Sequence, residues 1–380
     1  MTPRTISTLR ILQQHHVKAF MMQRTMSSVS SSTQAKEDHT HCVDLVRERD
    51  MEGYLCGLLM PSSARNSYFA IRAFNVEIAS IKDGGAIKKS TQSGSNIASN
   101  LRMQWWRDVI SDIYTHPSDK KKEEETLVKS SSNSTEYISQ SIAASRKQNP
   151  IVRSLQSAIH SSNLTKRFLD RMMEAREEDL DVKQMKSMED LVQYGEDTTS
   201  SFLYLSLECA GVRDSNADQC ASHIGVAHGL VTSLRSTLYK SSRGELSIPD
   251  DLMRKYSVPS RYLLDPPTDR YDIDENNNNA TNDYTQIKKE YKESDDSLRK
   301  AVQEIAFVSR AHLHEARNKQ NMVPKDGRQA LLPAVSALHY LEMLEKVNYD
   351  VLHPMLNAAP EAQRLNVALL LGRAWLTGVF

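Results

Sequence analysis

Between residues 43 and 375 the apolar side chains return at helical spacing in one segment after another, and almost nowhere do they alternate. A chain patterned this way buries helical stripes against one another and has no strand faces from which to build a sheet. Val43, Val46, Met51, Tyr54, Leu55, Leu58 and Leu59 fall near one face. Pro61, followed by Ser62 and Ser63, can open a second helix that carries Tyr68, Phe69, Ile71, Phe74, Ile78 and Ile81. A third spans 101–114, with Trp105, Trp106, Val109, Ile110 and Ile113 as its stripe. The tryptophan pair reads first as core packing, with the wall of an apolar cavity as the alternative.

Asn163 is placed to cap a helix holding Leu164, Phe168, Leu169, Met172 and Met173. Ser187 and Asp190 have the spacing of a capping box. Gly211 can close a helix over 202–209 in the left-handed conformation. Further helices are expected over 217–239, 287–319, 329–346 and 361–375. The one strand candidate, residues 245–248, ends at Pro249 and is too short for a sheet. The reading is all-α, with one domain over 43–376.

Two stretches interrupt the pattern. Residues 116–149 hold Lys120–Lys122, Glu123–Glu125 and a serine run, and residues 266–286 hold Pro266, Pro267 and the four asparagines 276–279. Neither buries enough apolar area to offset the entropy of ordering it, so both read as polar insertions between helices; for the first, a domain boundary is the alternative.

Lysine plus arginine number 48 and aspartate plus glutamate 48. That balance leaves no basic face for a phosphate backbone, so no nucleic-acid partner is expected. Cys42, Cys56, Cys209 and Cys220 form no CxxC pair and are too sparse for a disulfide scaffold. The apolar C-terminal run 367–380 is broken by Arg373 and is short of the roughly 20 residues a membrane span needs. The stretch 365–380 reads as core packing, with rest against a membrane surface as the alternative.

Charge is distributed unevenly. Residues 1–36 hold Arg4, Arg10, Lys18, Arg24 and Lys36, many serines and threonines, and no acid. This is the composition of a mitochondrial or plastid transit peptide, with an untargeted tail as the alternative and a cut near Ser27 compatible with Arg24. Its removal takes five basic residues and leaves 43 lysines and arginines against 48 acids, a net charge of −5.

Within helices, His223 with His228 and His312 with His314 lack the i,i+4 spacing of paired ligands, and His39, His41 and Cys42 lack a fourth ligand. No metal is expected, and no phosphate-loop, dinucleotide or serine-hydrolase motif occurs.

The segments 73–83 (AFNVEIASIKD) and 234–249 (LRSTLYKSSRGELSIP), with Pro61 and Arg65, resemble the squalene/phytoene synthase family. That resemblance implies the terpenoid-synthase helical fold. In the family, acids at two helix ends hold the Mg²⁺ that neutralises a prenyl diphosphate, because a hard cation wants several oxygens and i,i+3 or i,i+4 spacing puts two on one face. Here the first motif's acid positions become Ala79, Ser80 and Asp83, and the second's become Ser236, Tyr239 and Lys240. Arg235, Arg243, Gly244 and Pro249 match, as does Asp179, although Ala175 and Arg176 replace the residues that usually precede it. The resemblance therefore implies a degenerate synthase with no catalytic residue and no cofactor. Arg235, Lys240 and Arg243 are candidates for binding an anion without metal, with complementing a helix dipole as the alternative for Lys240 and Arg243.

Segments 72–83, 101–114, 163–169 and 221–239 are more similar still to a non-enzymatic mitochondrial branch of that family, which acts in respiratory complex I assembly at an early membrane-arm stage. This implies complex I subunits or other assembly factors as partners, the matrix side of the inner membrane as location, and peripheral membrane association. An isoprenoid transferase with an atypical metal site, and a metal-independent lipid or prenyl carrier, are the alternatives.

Overall fold

A computed structural model describes residues 33–85, 92–115, 148–267, 282–357 and 360–379. The segment 1–32 and most of both polar insertions lie outside the described residues, so the transit-peptide and insertion expectations are not addressed there. Among the described residues the regular structure is helical, and no strand occurs.

Helix α1 covers residues 33–49 and so begins inside the segment read as a leader. Its Asp38 is buried and bonds Arg153 at 2.5 and 2.7 Å, which makes it part of the fold. Asp50, which the periodicity did not single out, caps α2 (Met51–Leu59) and divides the 43–59 stripe between two helices, whereas Pro61 precedes α3 (Ser62–Ala79) as the sequence indicates. There follow α4 (Ile81–Gly85), α5 (Gln92–Tyr114), α6 (Pro150–Ser162) and α7 (Lys166–Asp179).

Asn163 does not cap α7. It ends α6 with φ of 51°, while Leu164 N–H bonds Ile159 O and Thr165 stands at the α7 N-cap. Asparagine tolerates the left-handed region and serves at either end of a helix, so its identity alone does not assign the end.

Ser187 and Asp190 form the reciprocal capping box of α8 (Met188–Gly195). A π-turn, Glu196–Ser200, leads into α9 (Ser201–Cys209), which Gly211 closes with φ of 74°. The Val212 N–H to Leu207 O and Gly211 N–H to Glu208 O bonds complete a Schellman motif.

The expected helix 217–239 is instead α10 (Ser215–Arg235) and α11 (Thr237–Ser242). At the break, Ser236 Oγ and Thr237 Oγ1 donate back to Ser233 O and Leu234 O, a competition that bends helices. Residues 245–248 form no strand; Leu246 N–H donates one bond to Lys183 O.

Short α12 (Asp250–Lys255) and α13 (Ser260–Leu264) precede α14 (Asn282–Lys319). A single helix over 329–346 is replaced by a 3₁₀ turn, Lys325–Leu331, and α15 (Pro333–Lys346), because Pro333 suits a first-turn position but not a helix interior. The described chain ends with α16 (Pro354–Asn357) and α17 (Pro360–Thr377).

Helix α10 is the axis. Ala217, Cys220, Ala221 and Ile224 join one apolar cluster with α3, α6, α7 and α9, and Val226, Leu230, Val231 and Leu234 join a second with α14 and α15. Trp106 is buried, stacking edge-on against Phe74 at 5.1 Å and Trp105 at 4.8 Å. All four cysteines are buried and unpaired.

The π-turn crosses α10 at backbone contact. A Cβ on Gly225 would lie 2.4 Å from the Ser200 Cα, and one on Gly229 would lie 2.8 Å from the Gly195 Cα. Only glycine allows these approaches, and Gly229 lines the cavity described below.

Candidate functional site

The ends of α3, α7 and α10 converge, with α4, α8 and α11, around a cavity of about 290 Å³. Ala79, Asp83, Ser236, Tyr239 and Lys240 all line it, so the fold brings together the helix ends that the two motifs mark. Ser80 turns away, its hydroxyl donating to Glu77 O at 2.9 Å.

Lys82 organises the charges. Its Nζ lies 3.1 Å from Asp179 Oδ2, 3.3 Å from Glu245 Oε2 and 2.7 Å from Val182 O. The ammonium thus ties α4 to the end of α7 and to the loop beyond α11. Arg243 completes the tie, with Nε 3.7 Å from Glu245, Nη1 4.0 Å from Asp83 and Nη2 donating to Lys82 O at 3.3 Å. Tyr239 OH accepts from Arg243 Nη1 at 3.2 Å. Burial raises the Asp179 carboxyl above its usual range despite the attraction of Lys82 and Lys240.

Lys240 and Arg176 differ from these cations. No carboxylate stands within ion-pair distance of Lys240 Nζ among the described residues, and burial lowers its pKa. Arg176 is likewise lowered by burial, and it bonds Asn75 Oδ1 at 2.7 Å and Met172 O at 3.1 Å.

The three candidate anion-binding cations do not share one cavity. Arg235 faces a second one, of about 460 Å³, between α2, α3, α10, α15 and α17; Thr232 is common to both. Two ion pairs cross this space. Arg235 grips Glu52 at 2.7 and 3.0 Å, and Arg72 bonds Asp50 while stacking over Phe202 at 4.5 Å. His228 sits between them, its pKa depressed by burial to about 4.

A family-type Mg²⁺ cluster does not fit this donor set. Lys82 already satisfies Asp179 and Glu245, Lys240 puts an ammonium at a ligand position, and the described residues hold no group of three potential ligands. A lone Asp83 with hydroxyls is a poor match for an ion that dehydrates reluctantly.

Sequence reasoning passed over Lys82, which stands beside Asp83 and reads locally as a solvated charge. Glu52 carried no local signal for a partner 183 positions away. The histidines also pair differently from either weighed spacing: His223 Nδ1 and His312 Nδ1 lie 3.1 Å apart across α10 and α14.

This all-helical architecture, with converging helix ends in place of acid clusters, defines the class. The chain belongs to the squalene/phytoene synthase family, whose sequence model matches residues 46–365. It is 33% identical over 318 residues to mouse (Mus musculus) NADH dehydrogenase (ubiquinone) complex I, assembly factor 6, covering 84% of this chain and 77% of that one. The human (Homo sapiens) protein of that name is 32% identical over 333 residues, 88% and 81% of the two chains.

Among solved structures, squalene synthase HpnC from Alicyclobacillus acidocaldarius superposes with a TM-score of 0.57 at 16% identity, covering 84% of this chain and 97% of that one. A dehydrosqualene synthase solved with a ligand gives 0.58 at 14% identity, covering 91% and 98%. At such identities the likeness establishes the fold.

Proposed function

We propose that this protein is a non-catalytic assembly factor for mitochondrial respiratory complex I, acting at the early membrane-arm stage. The observation that carries the reading is the exchange of charge in the cleft: an ammonium, Lys82, joins the surviving acids where the family uses metal, and Lys240 replaces a ligand outright. Relatives named for complex I assembly, aligned over more than four-fifths of the chain, supply the role. Its partners in this reading are complex I subunits or other assembly factors. The basic segment ahead of α1 directs import, the working location is the matrix side of the inner membrane, and association with that membrane is peripheral.

Deleting the gene and resolving respiratory complexes on native gels tests this. Loss of assembled complex I, with the other complexes retained and recovery on re-expression, is the expected outcome. Normal complex I accompanied by altered terpenoids would instead support the transferase alternative.

A further inference from the structure

Helix α17 is apolar on both sides, and the fold uses only one of them. Val367, Leu371 and Ala374 are buried against the bundle, at 7%, 0% and 7% exposure. Leu365, Leu369 and Leu376 point the other way, at 62%, 65% and 78%. With Gly372 they follow i, i+4, i+7 and i+11 spacing and form a single ridge. An apolar face needs apolar surroundings, and among the described residues nothing covers this one.

Arg373 is the exposed cation of the helix on the ridge side. Arg364 turns to the cavity that Arg235 faces, and Glu361, in the first turn, is the one acid of α17. Gly378, after the end of α17, accepts a bond from Gln320 Nε2 at 2.9 Å and lies beside the Arg328 guanidinium. The segment it touches also carries Lys325 and the exposed Met322, with Asp326 as its one acid over 319–328. Trp375 is half-exposed near the same end. Leucines projecting from a helix, with flanking cations and an aromatic ring with one polar edge, match a surface that is apolar inside and anionic at its rim.

We propose that α17 lies in the plane of an anionic phospholipid bilayer, with Leu365, Leu369 and Leu376 inserted at the level of the headgroups and upper acyl chains. No helix among the described residues is long and apolar enough to cross a membrane, and this arrangement requires none. The inference rests on the peripheral membrane association proposed above and names the element responsible.

The test is flotation of residues 33–380, which contain the whole described fold and omit the basic N-terminal segment, with vesicles of phosphatidylcholine alone or with added cardiolipin. Wild type is expected to float with the anionic vesicles and much less with the neutral ones. L369D/L376D should bind about tenfold more weakly or worse, since each exposed leucine loses its apolar contact. R373E should lose the preference for cardiolipin. Unchanged melting of both variants separates lost docking from lost folding, because the replaced side chains point away from the core.

Equal flotation of wild type and L369D/L376D would overturn the assignment to α17, as would failure of wild type to float. If the double variant floats normally but no longer supports complex I assembly in cells, the ridge docks a protein and the lipid assignment is wrong. Native-gel analysis of complex I in the deletion strain is an independent readout, so the assembly reading can stand or fall separately.

Discussion

At Lys82 an ordinary-looking surface residue becomes the counter-ion of a buried acid pair. The Lys82→Met substitution leaves Asp179 and Glu245 facing each other without it, and removal of one partner from a buried cluster costs about 3 kcal/mol. The pH dependence has a definite sign. Because burial raises the Asp179 pKa, the fold penalises the ionised form; the stability linked to that carboxyl is full below its unfolded-state pKa and falls as pH rises through the folded-state value. Without Lys82 that value climbs further, so the deficit of the variant widens from acid to neutral pH. Urea denaturation at about pH 4 and pH 7 checks this, and a deficit equal at both would refute it. The aligned motif showed which acids were missing. It did not show where the cation went, because Lys82, Asp179 and Glu245 meet only after three distant segments fold together.

Among the elements, the crossing of the π-turn over α10 is the tightest constraint on the cleft. Gly225→Ala places a Cβ against the Ser200 backbone, which cannot yield as a side-chain tip would, and should destabilise by about 3 kcal/mol. Gly372→Ala in α17 meets no atom within 4 Å and should stabilise by about 0.5–1 kcal/mol through helix propensity. Thermal melts of the two variants should therefore move in opposite directions. Most of the long helices were legible because apolar spacing is a local property, but α6, which follows the first polar insertion, and the short α12 and α13 were not expected. The ends were less so: the α8 capping box and the Gly211 closure are encoded locally and hold, whereas Asn163 fits either end of a helix. The break at Ser236 depends on hydroxyls that either point outward or bond back, and Thr237 Oγ1 is fixed by Ser247 Oγ at 2.7 Å, a contact no periodicity displays.

For the whole molecule, the apolar pattern sufficed for an all-α fold, and the two degraded motifs, through their family resemblance, indicated the synthase-like architecture and located the cleft. Arg235, Lys240 and Arg243 looked like one anion site along the chain. In space Arg235, at the end of α10, turns to Glu52 while Lys240 lines the other cavity, a separation set by the break at Ser236 between α10 and α11 and by a partner in α2. The result is two separate cavities, each crossed or rimmed by ion pairs. In the function proposed above, the protein acts on complex I without chemistry at Asp83. The direct test is the level of assembled complex I, on native gels, in deletion cells expressing wild type or Asp83→Asn at matched abundance. Equal restoration by both is predicted; restoration by wild type alone, with the variant folded and imported, would contradict the account.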